Sequence, residues 1–264
     1  MRPEIFAVLA SLMYLYAFGR LWRMVQQPEK PLSEKPLLGI TLLALIFHGL
    51  ALSQTLFIEH QLDLHLGNIL SLIGWLTAAL VIITSITQPV LMLGIFIFPL
   101  TAFSSFMPFW LAESHPIALK MGSHILLSIG AYSVLTLATA QAILYSIQEA
   151  RFKQKKVGSV LNVLPPLQIM EKTLIQLVWI GFIFLSLSLF SGFLFVDNLL
   201  AQHLVHKTFF SILAWFTYAL FLWGHYQRGW RGKKAARALL WAYTLLFLGY
   251  IGTSFILLMI YNSP

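Results

Sequence analysis

The sequence contains no cysteine. That excludes disulfides, thiol exchange and thioether attachment of a cofactor, because each needs a sulfhydryl. Charge is also scarce. Only 10% of the 264 residues are charged, and nine of those are acids. Glu59, Asp63, Glu113 and Asp197 are scattered over the connections between apolar runs, and no carboxylate lies deep in a run. No acid pair suits hydrolysis, and proton-coupled transport is disfavoured unless histidine replaces the carboxylate. A glycine-rich phosphate loop and a nucleophile elbow are absent too. The chain therefore reads as a non-enzyme.

Apolar residues fill the space that charge leaves. They make up 59% of the chain, 14% of it being aromatic, and mean hydropathy is +0.81. This composition is that of an all-α, polytopic membrane bundle. Eight apolar runs are long enough to cross a bilayer, at about 4–22, 37–58, 67–87, 89–110, 120–147, 173–196, 207–226 and 237–260. The first leads into Arg20 and Arg23 with no small-residue cleavage site, so it reads as a retained span. The connections are short, and residues 1–264 are expected to form one integral membrane domain. The prolines of "VLPP", ahead of the sixth run, predict a rigid turn.

A formal net charge of +8 would suit nucleic acid if it lay on one face. Instead, fourteen of the seventeen Lys and Arg fall in the segments 20–36, 149–172 and 228–237, which share one side in an eight-span topology. Positive charge near span ends sets orientation and needs no polyanionic partner. Those segments are predicted to be cytoplasmic, with both termini outside. The alternate loops, about 59–66, 111–119 and 197–206, are then external, and they hold His60, His65, His115, His203 and His206.

Three histidines remain within spans or at their ends. An ionisable group in a span is costly, and neutral imidazole is the cheapest of them to bury. His48 lies mid-span with Thr41 and Thr55 seven residues to either side, a polar stripe expected to face other helices. His124 opens a second stripe, in which Ser128, Tyr132 and Thr136 follow at four-residue steps. His225 closes the seventh span beside a cluster of positive charge. Each has two readings, an interhelical or interfacial polar contact and a cofactor ligand. Several imidazoles, many aromatic residues and no thiol suit non-covalent haem. His203 and His206, spaced i, i+3, do not by themselves complete a metal site.

Five segments carry a resemblance. They are "FHGLAL", "LGNILSLIGWL" with Asn68 and Trp75, "SHILLSIGAYSVLTLA", "LSLFSGFLF" with Ser191 and Gly192, and "AWFTYALFLWGHYQRGWRGKKAA". In this order, over about 41–255, they resemble the haem-handling membrane proteins of cytochrome c assembly, the CcsA type. The similarity is greatest to the shorter YpjD-like branch lacking the tryptophan-rich loop. Between Gly192 and Trp215 the chain indeed reads "FVDNLLAQHLVHKTFFSILAW", without the tryptophans and terminal Asp of that loop.

The resemblance implies a carrier of non-covalent haem b in a bacterial inner membrane, with His48 and His225 as iron ligands. It adds His124, Tyr132 and Trp75 to the cofactor-binding set, and the family's partner of His124 has no counterpart here; proximity in the predicted topology offers His206, or its neighbour His203, as the replacement. The implied partners are haem, the lipid bilayer, and another membrane protein or an apocytochrome, and no nucleic acid. The alternative is a haem-free transporter or accessory subunit on the same frame.

Overall fold

The structure, a computed structural model, describes residues 2–27, 34–58, 61–88, 90–111, 119–154, 165–195 and 202–249. Nearly all of this is helix. The chain packs as two compact units, one of residues 1–117 with 147–171, the other of 118–146 with 172–264.

The first unit begins with α1 (Pro3–Gln26), whose buried face is Ala7, Ala10, Ser11, Tyr14, Ala17 and Leu21. Three alanines at helical spacing let backbones approach closely, which is how helices associate where lipid removes the hydrophobic drive between them. α1 packs on α2 (Glu34–Leu56) and on α4 (Gly94–Ser104). After α2 come two-residue strands, Phe57–Ile58 and Gln61–Leu62, which pair antiparallel and turn the chain into α3 (Leu66–Thr87).

Hydrogen bonds set the register of α3 against α2. Asn68 donates to the carbonyls of Thr55 and Asp63 at 2.9 and 2.7 Å, Ser71 meets His48 at 2.9 Å, and Trp75 Nε1 donates to the Leu45 carbonyl at 2.9 Å. Residues 68, 71 and 75 share a face of α3, so three polar side chains stitch one antiparallel pair. The Trp75 ring needs Gly49 beneath it, because a Cβ there would stand 3.1 Å from Nε1.

The fourth predicted span is broken into a 3₁₀ turn at Leu91–Leu93, α4, and α5 (Met107–Trp110). Pro99 lies inside α4 and Pro108 in the first turn of α5. A residue with no N–H is accepted at a first turn but interrupts a continuing helix. The expected "VLPP" turn is described only from Pro165, whose carbonyl accepts Gln148 Nε2 at 2.8 Å.

The second unit is built from most of α6 (Leu119–Lys153) and α7 (Leu167–Phe195), with α8 (Gln202–Arg228) and α9 (Gly232–Phe247). Among the described residues, seven segments are long and apolar enough to cross a membrane. α9 begins the predicted eighth span, and residues 250–260 of it lie outside the described residues. Large apolar side chains such as Leu12, Ile86, Phe193 and Phe216 are exposed on helix faces, as lipid-facing surfaces require. The protein is an all-helical, multi-span membrane protein.

Candidate functional site

Each of the three candidate histidines is held by a hydrogen bond through one ring nitrogen. The bonds differ in what they leave free.

His48 is fully buried in the first unit. Its Nε2 lies 2.9 Å from Ser71 Oγ, and its Nδ1 is buried without a hydrogen-bond partner. The Tyr14 ring packs edge-on against it, with centroids 6.0 Å apart, and the Tyr14 hydroxyl is a second buried orphan. The predicted polar stripe does face inward at Thr41, but Thr41 and Thr55 donate to Leu38 and Leu52 of their own helix. Ser71 alone reaches the imidazole across the seam.

His124, on the first turns of α6, is half-buried in the second unit. Its Nδ1 lies 2.9 Å from the Ser188 carbonyl and 3.0 Å from Ser191 Oγ. A carbonyl only accepts, so Nδ1 carries the proton and Nε2 keeps its lone pair. Gly192 permits this closeness, since a Cβ there would be 3.0 Å from His124 Cε1. The rest of the stripe behaves as spacing predicted. Ser128 Oγ meets Ser188 Oγ at 2.6 Å, Tyr132 donates to the Leu246 carbonyl at 3.0 Å, and Thr136 Oγ1 meets the Tyr243 hydroxyl at 2.6 Å.

A cavity of about 170 Å³ opens beside this imidazole, lined by His124, Ser128, Tyr132, Ser188, Lys207 and Ser211 among apolar residues. Sequence reading missed Lys207 and Ser211. A lysine at the start of an apolar run looked like ordinary interfacial charge, and only packing brings it round to His124.

His225 explains its own surroundings. Gly229, with φ +61°, ends α8 in the left-handed conformation, and its N–H bonds the His225 carbonyl at 3.1 Å. The chain then folds back. Trp230 donates its N–H to the Gly224 carbonyl at 3.1 Å, and its own carbonyl accepts His225 Nδ1–H at 3.0 Å. The Trp230 ring lies on Gly224, where a side chain would collide with it. As at His124, Nδ1–H is committed and Nε2 is available.

Two of these imidazoles have the form that could take a metal through Nε2. An imidazole whose Nδ1–H is tied to a backbone carbonyl is oriented and made more basic at Nε2, the arrangement that metal-ligating histidines use. His124 and His225 meet that condition. His48 offers the orphaned Nδ1, its Nε2 being tied to Ser71. Trp75 belongs to the His48 seam, bonded to Leu45. Tyr132 lines the cavity through its ring while its hydroxyl is committed.

His206 and His203 fall on the first turns of α8, and their side chains lie outside the described residues, as do His60 and His115. His65 instead caps α3, buried, with Nδ1 3.2 Å from Asp63 Oδ1. Among the described residues, no group of three or more His, Asp or Glu is placed to hold a metal by protein ligands alone.

The family described as Cytochrome C assembly protein matches residues 38–260 of the chain. Inner membrane protein YpjD of Escherichia coli strain K12 is 29% identical over 219 residues, covering 80% of this chain and 82% of that protein. The O157:H7 protein of the same name gives the same figures. An uncharacterised 28.8 kDa protein in the nifR3-like 5′ region of Azospirillum brasilense is 30% identical over 135 residues, half of each chain. No solved structure matches significantly.

Proposed function

We propose that this chain, which belongs to the Cytochrome C assembly protein family, holds haem non-covalently and hands it on without making or breaking bonds in it. One observation carries the reading. His124 donates Nδ1–H to the Ser188 carbonyl, which leaves Nε2 unprotonated, and the residue lines a cavity with apolar walls. Haem bound there would supply an iron that takes imidazole as an axial ligand and a flat apolar body. The chain's own part is orientation: Ser188 and Ser191 fix the tautomer, Gly192 gives the ring room, and Leu185 and Ile212 supply apolar wall.

His225 is the second ligand-competent imidazole, held by the Trp230 carbonyl. His48 is the third, and coordination through its Nε2 requires release of Ser71. His206 is retained as a candidate partner of His124 on sequence proximity alone. The relative's name places that protein in an inner membrane, and we assign this chain to the same membrane, with its basic loops cytoplasmic. A partner membrane protein or an apocytochrome would receive the haem.

A second reading is favoured by size. A space of about 170 Å³ is below the ~300–1,000 Å³ of pockets that enclose a drug-sized ligand. A haem-free transporter or accessory subunit needs no more. The absorption spectrum of protein purified gently from haem-replete cells decides between them. A reducible low-spin haem spectrum, lost in His124→Ala or in a His48→Ala, His225→Ala double variant, is the outcome expected. A colourless wild-type protein would assign it to the haem-free reading.

A further inference from the structure

The hairpin of α8 and α9 carries its positive charge in a fixed arrangement. Gly229 and Gly232, with φ of +61° and +55°, stand at either side of the short link between the two helices. The Trp230 N–H bonds the Gly224 carbonyl at 3.1 Å and its ring lies on Gly224, so the last turn of α8 and the first turn of α9 are held at one end of the hairpin. Arg228 closes α8, and Lys233, Lys234 and Arg237 fall on the first two turns of α9. All four are exposed. Orientation in a membrane needs only a surplus of positive charge on one side, in whatever arrangement.

These cations have no acid near them in sequence, since residues 198–264 contain no Asp or Glu. Among the described residues, no carboxylate lies within ion-pair distance of Lys233, Lys234 or Arg237. Their neighbours along the exposed face of α9 are apolar. Lys234, Arg237 and Trp241, at i, i+3 and i+7, share one stripe, and Leu240, Phe247 and Leu248 are exposed around and beyond it. From Lys234 to Trp241 the helix rises about 10 Å, more than the ~5–8 Å depth of one headgroup layer. Cations at headgroup height therefore lead directly to an aromatic and apolar track at acyl-chain height. On α8 the exposed Trp223 repeats the pairing, with the Arg228 guanidinium 4.8 Å from its ring centroid.

We infer that this end of the hairpin is a binding site for an anionic phospholipid, whose phosphates meet Lys233, Lys234 and Arg237 while an acyl chain lies along Leu240 and Trp241. Three cations within ~6 Å of helix axis match a headgroup with two phosphates better than a headgroup with one, so the lipid is diphosphatidylglycerol. Basic sites beside membrane helices take headgroups of this kind. The site needs no haem.

The full-length protein, stripped of lipid in detergent, is titrated with diphosphatidylglycerol, with phosphatidylglycerol at equal phosphate, and with phosphatidylcholine. Native mass spectrometry reads the lipid retained, and the unfolding temperature reads the stabilisation it brings. Wild type is expected to hold the two-phosphate lipid about a hundredfold more tightly than the zwitterionic one and about fivefold more tightly than phosphatidylglycerol, at roughly fivefold per cation engaged. Lys234→Gln with Arg237→Gln should lose about twentyfold. Arg23→Gln with Arg151→Gln removes the same net charge from exposed positions in the other unit and should change affinity by less than about twofold. Lys234→Arg with Arg237→Lys keeps the charge and should stay within about threefold of wild type.

A wild type indifferent to lipid charge overturns the inference and leaves an acidic protein segment as the occupant of this face. A folded Lys234→Gln, Arg237→Gln variant that binds as wild type does, or an Arg23→Gln, Arg151→Gln variant that loses as much, overturns it too, because net charge alone would then account for binding. Equal affinity for phosphatidylglycerol would overturn the assignment of a two-phosphate headgroup. If the double glutamine variant does not fold, the wild-type lipid series still decides the question.

Discussion

His124 Nδ1–H is donated to the main-chain carbonyl of Ser188, 2.9 Å away on α7, with Ser191 Oγ at 3.0 Å as a second acceptor. Because Ser191 gives its own hydroxyl hydrogen to the same carbonyl, it can only accept from the imidazole. Two acceptors fix one tautomer, so Nε2 of this cavity-lining histidine keeps its lone pair. A ligand needs that lone pair, and a packing histidine would be held by the same bonds, so the spectrum of the purified protein separates the two.

Gly192 gives the sharpest test of this arrangement. In Gly192→Ala the new Cβ would stand 3.0 Å from His124 Cε1, so ring or helix must shift. Overpacking of this kind costs about 1–3 kcal/mol. A lower unfolding temperature is expected, together with loss of whatever low-spin haem signal the wild type carries. An unaltered melting curve and spectrum would show that the ring does not sit against Gly192.

Ser71→Ala should leave His48 buried with neither nitrogen bonded. The unpaired group costs about 1–3 kcal/mol, read as a drop in thermal stability in detergent, and Ser71→Thr should recover most of it. The adjacent Tyr14→Phe acts in the opposite sense. It removes a buried hydroxyl that has no partner, so stability should hold or rise.

Gly229→Ala tests the cap under His225. A φ of +61° disfavours any Cβ by about 1 kcal/mol, and Gly229→Asn should lose less. Nitrogen-15 NMR of the imidazole should show His225 mainly as the Nδ1–H tautomer in wild type. A mixed population in the alanine variant is the expected change, because the Trp230 carbonyl moves with the turn.

Trp75→Phe deletes the donor to Leu45 and should cost about 0.5–1.5 kcal/mol. Gly49→Ala disturbs the same contact from the other helix. The two losses should be less than additive when combined, as for any pair sharing one interaction. Strict additivity would place Trp75 away from Gly49.

Orientation is checked by reporter fusions. A periplasm-active reporter inserted within residues 197–201 should be active, and one within 155–160 silent, if the basic segments are cytoplasmic. The reverse pattern would overturn both the orientation and the assignment of the loop histidines to the outer side.

Some of the candidate site was legible before any packing was known. The four-residue steps from His124 through Ser128 and Tyr132 to Thr136 predicted a helix face turned toward partners, and each hydroxyl proved to meet a group on α7 or α9. The close of the seventh apolar run at His225, beside a basic cluster, placed a helix end near that of α8 at Arg228. The break in the fourth span was harder to see, because hydropathy is blind to the turn at Ser105 and Phe106, after which α5 restarts with Pro108 in its first turn. Lys207 was hidden for a different reason. Its neighbours in sequence describe a span boundary, and its neighbours in space, His124 and Ser188, are 83 and 19 residues away.

Hydrophobic content alone determined that this chain lies in a membrane as a helical bundle, because lipid offers the backbone no partners and leaves an apolar segment few alternatives to a helix. The absence of cysteine likewise ruled out every chemistry that begins at a thiol. Only tertiary structure decided which nitrogen of each histidine is occupied and which is free. That choice depends on where a carbonyl or hydroxyl from another helix, or from the turn beyond it, comes to rest within about 3 Å, the reach of a hydrogen bond, and no spacing along one strand of sequence specifies it.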